Sequence, residues 1–279
     1  MIDSLAIVAG AGEYPLVMAA GARKAGVRHI TALAIRGAAE KRRLRPLVDE
    51  WVPVGLGELG RVRDWCAARP GIALAFGGGI SPTSLFTTRF DALSRRLMAE
   101  LPVKNSHTIF GKACEALEAA GARVLPASCF MDEAIPVAGV LTRREPDARE
   151  WNDIGVASRA SLLIASAEIG QVVVVKDGAI CAVEALEGTN TTIRRGAKIG
   201  GRGCVVFKGA KDGHDMRFDI PAFGMKTLAF LRKMGVSAFA FQAERMIFLE
   251  RGQVLPAADK WGISIVAVDS GLESCRRQP

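Results

Sequence analysis

The chain has 279 residues, of which 49% are hydrophobic, and a formal net charge of +8. This length exceeds the usual size of one domain and predicts two. Apolar β-branched runs alternate with stretches rich in Ala, Leu and Arg, which excludes an intrinsically disordered protein. The longest apolar runs fall short of the roughly 20 residues of a membrane span, and the first residues, MIDSLAIVAGAGEYPL, do not resemble a signal peptide.

The cysteines indicate the cellular compartment, and the basic residues indicate which partners are compatible with the chain. The six cysteines form no CxxC pair and mostly lie in apolar segments, which predicts a reducing, cytoplasmic environment. A net positive charge suits an acidic partner such as nucleic acid, a phosphorylated substrate or an anionic membrane. Because the basic residues are scattered without interleaved aromatic residues, we expect no nucleic-acid partner.

The first half of the chain alternates predicted strands with predicted helices. Strands are predicted over residues 5–9, 29–35, 50–54, 72–76 and 123–126, and helices up to Gly26 and over 59–69, 89–101 and 108–120. This alternation is typical of parallel strands joined by right-handed helical crossovers. Residues 1–131 are therefore predicted to form a Rossmann-like domain, with a parallel sheet covered by helices on both faces.

The alternation of predicted strands and helices is interrupted over residues 132–150, which we predict to be a linker. Beyond it, strands are predicted over 171–176, 179–185, 204–208, 238–242, 246–249 and 264–268, and helices over 154–169, 191–195, 221–234 and 255–261. The dipeptide Asp177-Gly178 between two of these strands predicts a type I′ hairpin turn. Residues 151–279 are predicted to form a second, mixed α/β domain.

Two glycine-rich turns follow predicted strands of the first domain. Such turns at the carboxyl ends of parallel strands adjoin the crevice where ligands bind, and their backbone N–H groups suit a phosphate. A tight turn that needs only flexible residues would have the same sequence. The dinucleotide pattern GxGxxG is incomplete, because Pro15 replaces its third glycine. The candidate ligand-binding residues of these turns are Gly10, Ala11, Gly12, Gly78, Gly79 and Ser81.

Two polar stretches follow strands of the second domain. The first is EGTN, which offers Glu187, Gly188, Thr189 and Asn190 to a ligand, although a solvated turn would look the same. The second is KGAKDGHDMRFDIPAFG, residues 208–224. In it Asp212 fits a turn, and Asp219 fits the N-cap of the next helix. The surplus charge includes Asp215 and Arg217; carboxylates suit Mg²⁺, whereas Arg and Lys suit a phosphate.

The stretches IVAGAGEYPL, FGGGISPTSLF, EALEGTNTTIRRG, VVFKGAKDGHDMRFDIPAFGMKTL and GISIVAV resemble those of the LpxI-type UDP-2,3-diacylglucosamine pyrophosphatases. The resemblance covers nearly the whole chain and is strongest in the segment that begins at Lys208. It implies a two-domain cytoplasmic enzyme of lipid A biosynthesis that depends on a metal, Mg²⁺ or Mn²⁺. Such an enzyme hydrolyses UDP-2,3-diacylglucosamine to UMP and lipid X.

The same resemblance assigns roles to residues of this chain. It implies that Lys208, Asp215, Arg217 and Asp219 are catalytic, and that Asp215 and Asp219 are also the metal ligands. It further implies that both glycine turns and the strip that begins at Glu187 line the substrate site.

Two positions depart from the family pattern. Asn190 stands where a carboxylate is common, and residues 105–107 (Asn-Ser-His) stand near a common acidic stretch, so charge is missing from a site that would hold Mg²⁺. Asn105 or Ser106 also fits a helix N-cap. The departures leave open a nucleotide-sugar or acyl-ligand binding protein without catalysis. A nicotinamide oxidoreductase, the third hypothesis, rests on the first glycine turn alone.

The implied substrate also bears on the partners. A UDP-linked acylated sugar carries two acyl chains, and a basic protein is attracted to anionic lipid. We therefore expect peripheral, salt-sensitive contact with the inner membrane. A homodimer is a reasonable expectation for such an enzyme.

Overall fold

The computed structural model describes residues 2–79, 88–102, 106–210, 217–218 and 220–269. The chain divides into two compact units, the first formed by residues 1–132 with 215–220 and the second by residues 133–214 with 221–279. Several residues singled out in the sequence lie outside the described residues, namely Ser81, Asn105, Asp212, Asp215 and Asp219.

The first unit contains a five-stranded parallel sheet. Its strands are β1 (Ser4–Ala9), β2 (His29–Ile35), β3 (Glu50–Val54), β4 (Ala73–Gly77) and β5 (Arg123–Val124). Their order across the sheet is β3-β2-β1-β4-β5, and every neighbouring pair is parallel. This order reverses between β1 and β4, as in doubly wound folds. The predicted Rossmann-like parallel sheet is confirmed.

Helices cover both faces of this sheet. They are α1 (Tyr14–Lys24), the short α2 (Lys41–Leu44), α3 (Leu59–Ala67), α4 (Ala92–Glu100) and α5 (Ser106–Ala119). Strand side chains alternate between the faces. On one face Ala6 and Leu74 pack with Val62 of α3 and Leu117 of α5. Helix α1 contacts β1 and β4 and buries Met18 against the opposite face.

The second unit contains a six-stranded mixed sheet. Its strands are β6 (Gly139–Val140), β7 (Val172–Lys176), β8 (Ala179–Val183), β9 (Val205–Lys208), β11 (Ala238–Gln242) and β13 (Ser264–Val268), in the order β6-β13-β11-β9-β7-β8. Strands β9, β11 and β13 are parallel, whereas β6 and β7 run antiparallel to their neighbours. Two short strands, β10 (Ala222–Phe223) and β12 (Ile247–Phe248), form a separate parallel pair. The predicted mixed sheet is confirmed.

The strand alternation of this unit builds three layers. The helices are α6 (Ala148–Ser166), α7 (Thr189–Gly200), α8 (Met225–Lys233) and α9 (Arg251–Trp261). Val173 and Val175 of β7 pack with Ile154 of α6. Val172 and Val174 belong to the other face, with buried residues of α7, α8 and α9. Among the described residues, no helix has both the length and the apolar character needed to cross a membrane.

The hairpin between β7 and β8 has the predicted turn. Asp177 has a φ of 51° and Gly178 a φ of 77°, as a type I′ turn requires, so this prediction is confirmed. Buried Asp153 of α6 accepts hydrogen bonds from the N–H groups of Asp177 at 3.1 Å and Gly178 at 2.6 Å. The turn is therefore tied to the helix below it.

Helix starts in the second unit differ from the predictions. The helix predicted from residue 221 begins at Met225 with Gly224 as its N-cap, so the predicted N-cap role of Asp219 is wrong. The reason is that Phe223 pairs with β12 and stacks on Phe239 with ring centroids 4.5 Å apart. The helix predicted over 191–195 extends over Thr189–Gly200, because the chain enters it directly from Gly188.

Candidate functional site

A cleft lies at one edge of the six-stranded sheet. Strands β8 and β9 both run antiparallel to β7, so their carboxyl ends meet at the same edge. The cleft has a volume of about 350 Å³ and is lined by Glu187, Gly188, Thr189, Asn190, Thr191, Lys208, Ala222, Phe223, Thr227 and Phe239. The structure thus brings the predicted EGTN residues together with Lys208.

The amino terminus of α7 supplies backbone donors to this cleft. Gly188 is the N-cap, with a φ of 79°, and no side chain caps the helix. The first N–H groups of an α-helix lack intrahelical partners, and the helix dipole adds partial positive charge there. Thr189, Asn190 and Thr191 form this first turn and line the cleft. The arrangement suits an anion, above all a phosphate group.

Glu187 is held as a carboxylate. It accepts hydrogen bonds from Arg195 at 2.5 Å, from the N–H of Ala185 at 3.1 Å and from the Thr192 hydroxyl at 3.2 Å. The hydrogen bond from Arg195 is the main cause that lowers the pKa of Glu187 below its ordinary value. A carboxylate with a lowered pKa is a poor general base at neutral pH. Glu187 therefore positions the turn before α7 rather than accepting a proton.

Buried Glu184 anchors the first residue of α7. It accepts a hydrogen bond from the Thr189 hydroxyl at 2.9 Å and another from the N–H of Gln171 at 3.1 Å. Since the Thr189 hydroxyl proton is engaged in this way, the hydrogen-bond donor that Thr189 can offer to a ligand is its backbone N–H. This role of Glu184 was not predicted from the sequence.

Lys208 ends β9 in the interior of the sheet, between β7 and β11. The chain after it is fixed by two buried polar residues. Ser161 accepts a hydrogen bond from the N–H of Gly209 at 3.1 Å, and Gln242 accepts one from the N–H of Ala210 at 3.2 Å. Neither residue was predicted from the sequence to have a role here. The only signal was a polar side chain within an otherwise apolar run.

Arg217 lies in the first unit. Its guanidinium donates a hydrogen bond to Glu118 of α5 at 2.9 Å. The next residue, Phe218, stacks on Phe110 of the same helix with ring centroids 5.7 Å apart. The Arg-Phe pair of the 208–224 segment is thus attached to α5, while Lys208 belongs to the sheet of the second unit.

The metal site stays a prediction. Within the described ranges, no group of three or more His, Cys, Asp or Glu side chains could hold a metal ion. Glu184 and Glu187 are engaged by the donors given above. The implied ligands, Asp215 and Asp219, lie outside the described residues.

The two glycine turns of the first unit bind each other. Gly10 donates to the carbonyl oxygen of Gly77 at 2.7 Å, while Ala11 and Gly79 exchange hydrogen bonds of 2.9 and 3.0 Å. These three N–H groups are therefore engaged and do not face a phosphate. A Cβ atom at Gly10 would lie 2.8 Å from the carbonyl oxygen of Gly79, so close packing accounts for a glycine there.

Replacing Gly78 by alanine is expected to destabilise the first unit by about 2–5 kcal/mol. Its φ of +98° costs an L-residue about 1–2 kcal/mol, and the new Cβ would lie 2.7 Å from the carbonyl oxygen of Ala11, which adds about 1–3 kcal/mol of overpacking. Gly12 is the matched control, since its φ is +89° but its Cβ would meet nothing within 4 Å. Urea unfolding of both variants checks this; equal losses would contradict the clash.

Comparisons with known proteins cover both units. The model of the LpxI N-terminal domain matches residues 4–134, and that of the LpxI C-terminal domain matches residues 137–266. The chain is 28% identical to UDP-2,3-diacylglucosamine pyrophosphatase LpxI of Caulobacter vibrioides over an alignment 278 residues long, which covers 95% of this chain and 97% of that protein.

Among solved structures, the L-amino acid ligase of Bacillus licheniformis shows only a weak likeness. It is 14% identical, with a TM-score of 0.24 over 66% of this chain and 40% of the ligase, and carries no argument about function. The two domain matches, by contrast, account for both units in the family's order. The chain belongs to the LpxI family.

Proposed function

We propose that the protein hydrolyses the pyrophosphate bond of UDP-2,3-diacylglucosamine, releasing UMP and lipid X, as a step of lipid A biosynthesis. The observation that carries this proposal is the meeting of Lys208 with the amino terminus of α7 in one cleft. The name of the relative from Caulobacter vibrioides, a UDP-2,3-diacylglucosamine pyrophosphatase, supports the substrate.

The chemistry requires stabilisation of negative charge. Water attacks one of the two phosphorus atoms, the bond from that phosphorus to the bridging oxygen breaks, and each product keeps one phosphate. Negative charge grows on the departing phosphate as the bond breaks. Donors fixed in advance around that charge are the main source of such catalysis. Lys208 supplies a positive charge, and the first turn of α7 supplies N–H groups.

We also propose that Asp215 and Asp219 hold the Mg²⁺ or Mn²⁺ that the family resemblance implies. Carboxylate oxygens are ligands that both ions accept. When bound, the ion would neutralise charge on the diphosphate and lower the pKa of a bound water. Arg217 is proposed to act on the phosphate groups, as Arg does in bidentate recognition.

Release of UMP from purified protein tests the reaction. With UDP-2,3-diacylglucosamine and Mg²⁺ or Mn²⁺, we expect stoichiometric UMP and lipid X by chromatography. Binding of the substrate without any product, seen as thermal stabilisation, would contradict hydrolysis and support a binding protein that has lost catalysis. The amide of Asn190 would favour this outcome, since Asn190 lines the cleft and stands at a position where a carboxylate is common in the family.

Removing the metal or its proposed ligands is expected to reduce UMP release at least tenfold. Loss of a group that merely orients a metal ligand typically lowers metal affinity or activity by about 10–100-fold. Chelation with EDTA should do so reversibly, and Asp215→Asn and Asp219→Asn should each do so on their own. Asp212→Asn is the matched control, because Asp212 lies in the same segment and its Asp-Gly dipeptide predicts a turn residue rather than a ligand. Full activity in both ligand variants would overturn this assignment, even if the reaction itself is confirmed.

A further inference from the structure

An apolar pocket lies at the carboxyl edge of the parallel sheet in the first unit. Its walls come from the ends of the strands, with Val8 of β1 and Phe76 of β4, and from α4 and α5, with Met98, Phe110 and Ala113. The pocket has a volume of about 100 Å³. None of these residues lines the cleft of the second unit.

The polar side chains in its lining are engaged elsewhere. The Ser94 hydroxyl donates to the carbonyl oxygen of Gly57 at 2.9 Å, and the Lys112 ammonium donates to Glu115 at 2.6 Å. The remaining side chains of the lining are hydrocarbon, aromatic or thioether groups. A ligand of this pocket therefore gains from burial of apolar surface and not from charge.

The size of the pocket is unusual for a packed interior. Protein interiors contain few voids larger than a water molecule, and a single water needs only about 10–15 Å³ of such space. Water in a larger space with an apolar lining lacks the two to four polar partners it needs, so apolar molecules readily displace it. The volume between α4, α5 and the sheet thus suits an apolar ligand.

The wall of the pocket also carries part of the segment proposed to be catalytic. Phe110 lines the pocket and stacks on Phe218, and Arg217 beside it is hydrogen-bonded to Glu118 of the same helix. On its other edge Phe110 meets Phe76 in an edge-to-face contact, with ring centroids 6.1 Å apart. A ligand bound here would lie on the same helix, α5, that holds the Arg-Phe pair.

We propose that this pocket binds one acyl chain of the substrate and that Ala113 keeps it open, so that the residue at this position sets the chain-length preference. The proposal rests on the proposed function, because that substrate supplies the acyl chains. Ala113 contributes a single methyl group to the wall from α5, between bulkier neighbours in the lining such as Phe110 and Leu117. A larger side chain there would fill the space that methylene groups occupy.

The test is Ala113→Phe, assayed on substrates with two tetradecanoyl or two butanoyl chains. Each methylene that can no longer be buried costs about fourfold in binding. We expect kcat/KM for the long-chain substrate to fall at least tenfold and that for the short-chain substrate to stay within about twofold. Ala119→Phe is the matched control, since Ala119 lies on the same helix but is exposed. Equal effects of Ala113→Phe on both substrates would overturn the proposal.

A second variant guards against misfolding of the first. Met98→Ala enlarges the pocket, so activity should shift from tetradecanoyl towards hexadecanoyl chains. An unchanged ratio would overturn the proposal.

Binding of a fluorescent fatty acid, dansyl-undecanoic acid, separates this proposal from the reaction. If the wild type binds the probe and Ala113→Phe does not, the proposed acyl-chain pocket is supported, even if no UMP is released. If wild type and variant release UMP with the same chain-length profile, the proposed role of the pocket is overturned, whereas the proposed reaction is supported. If the wild type does not bind the probe, the proposal is also overturned, because residues of the protein itself would then fill the space.

Discussion

Replacing Lys208 by alanine is expected to lower kcat/KM for UDP-2,3-diacylglucosamine by about 10²–10³-fold. Among the described residues that line the cleft, Lys208 is the cation, and Glu187 is already neutralised by Arg195. Loss of one donor that stabilises charge in a transition state typically costs this much, because water does not replace it in a fixed position. The first turn of α7 would remain, so some activity should survive.

The division of this effect between kcat and KM reports what Lys208 does. If its ammonium contacts the departing phosphate, kcat falls and KM changes little; if it binds the ground state and the transition state equally, KM rises alone. Lys208→Arg should recover part of kcat, because charge is kept while the geometry changes. Lys198→Ala is the control, since Lys198 is exposed and belongs to the other end of α7. Wild-type kinetics in Lys208→Ala would remove this residue from the site.

The fold was predictable wherever a local pattern has one meaning. The apolar run of residues 172–175 and the Asp177-Gly178 turn predicted a strand and a hairpin, and both are confirmed. The start of α8 was not predictable, because Phe223 is held in a strand by its partner Phe248, a contact between residues distant in the chain. Local sequence cannot reveal such a partner.

The candidate site was predictable in its residue types but not in its connections. EGTN and Lys208 meet in one cleft, as two turns at the same sheet edge should. The buried anchors Ser161 and Gln242 were missed, since their roles exist only when β9 lies beside α6 and β11. The glycine turns illustrate the opposite case. Their backbone groups looked suited to a ligand, but Ala11 and Gly79 bond to each other.

Replacing Arg144 by alanine is expected to destabilise the second unit by about 3 kcal/mol. Arg144 donates two hydrogen bonds, of 2.8 and 2.9 Å, to Glu150, whose side chain is 1% exposed. Breaking a buried ion pair costs about 3–5 kcal/mol, because the remaining charge is buried without its partner. The lower end applies here, since the Arg144 side chain is 35% exposed and Arg149 lies 3.6 Å from Glu150.

The neighbouring residue provides the control. The side chain of Arg143 is 93% exposed and lies 3.7 Å from Asp259, so Arg143→Ala should cost less than about 0.5 kcal/mol. Urea unfolding of both variants at neutral pH measures the difference. Equal midpoints for the two variants would show that Glu150 does not depend on Arg144.

The pH dependence of this difference tests its electrostatic cause. Burial alone would raise the pKa of Glu150, but the hydrogen bonds from Arg144, Ser237 and the N–H of Asp147 outweigh it and hold the pKa below its ordinary value. A carboxyl group with a lowered folded-state pKa contributes stability above its unfolded pKa of about 4.3, and that stability is lost as pH falls through the folded value. Arg144→Ala removes the largest of the effects that oppose burial, so we expect the pKa of Glu150 to rise and protonation to relieve the buried charge as pH falls. The gap between wild type and variant should therefore be largest at neutral pH and shrink below about pH 5. A gap that stays constant with pH would mean that Arg144 acts through packing and not through its charge.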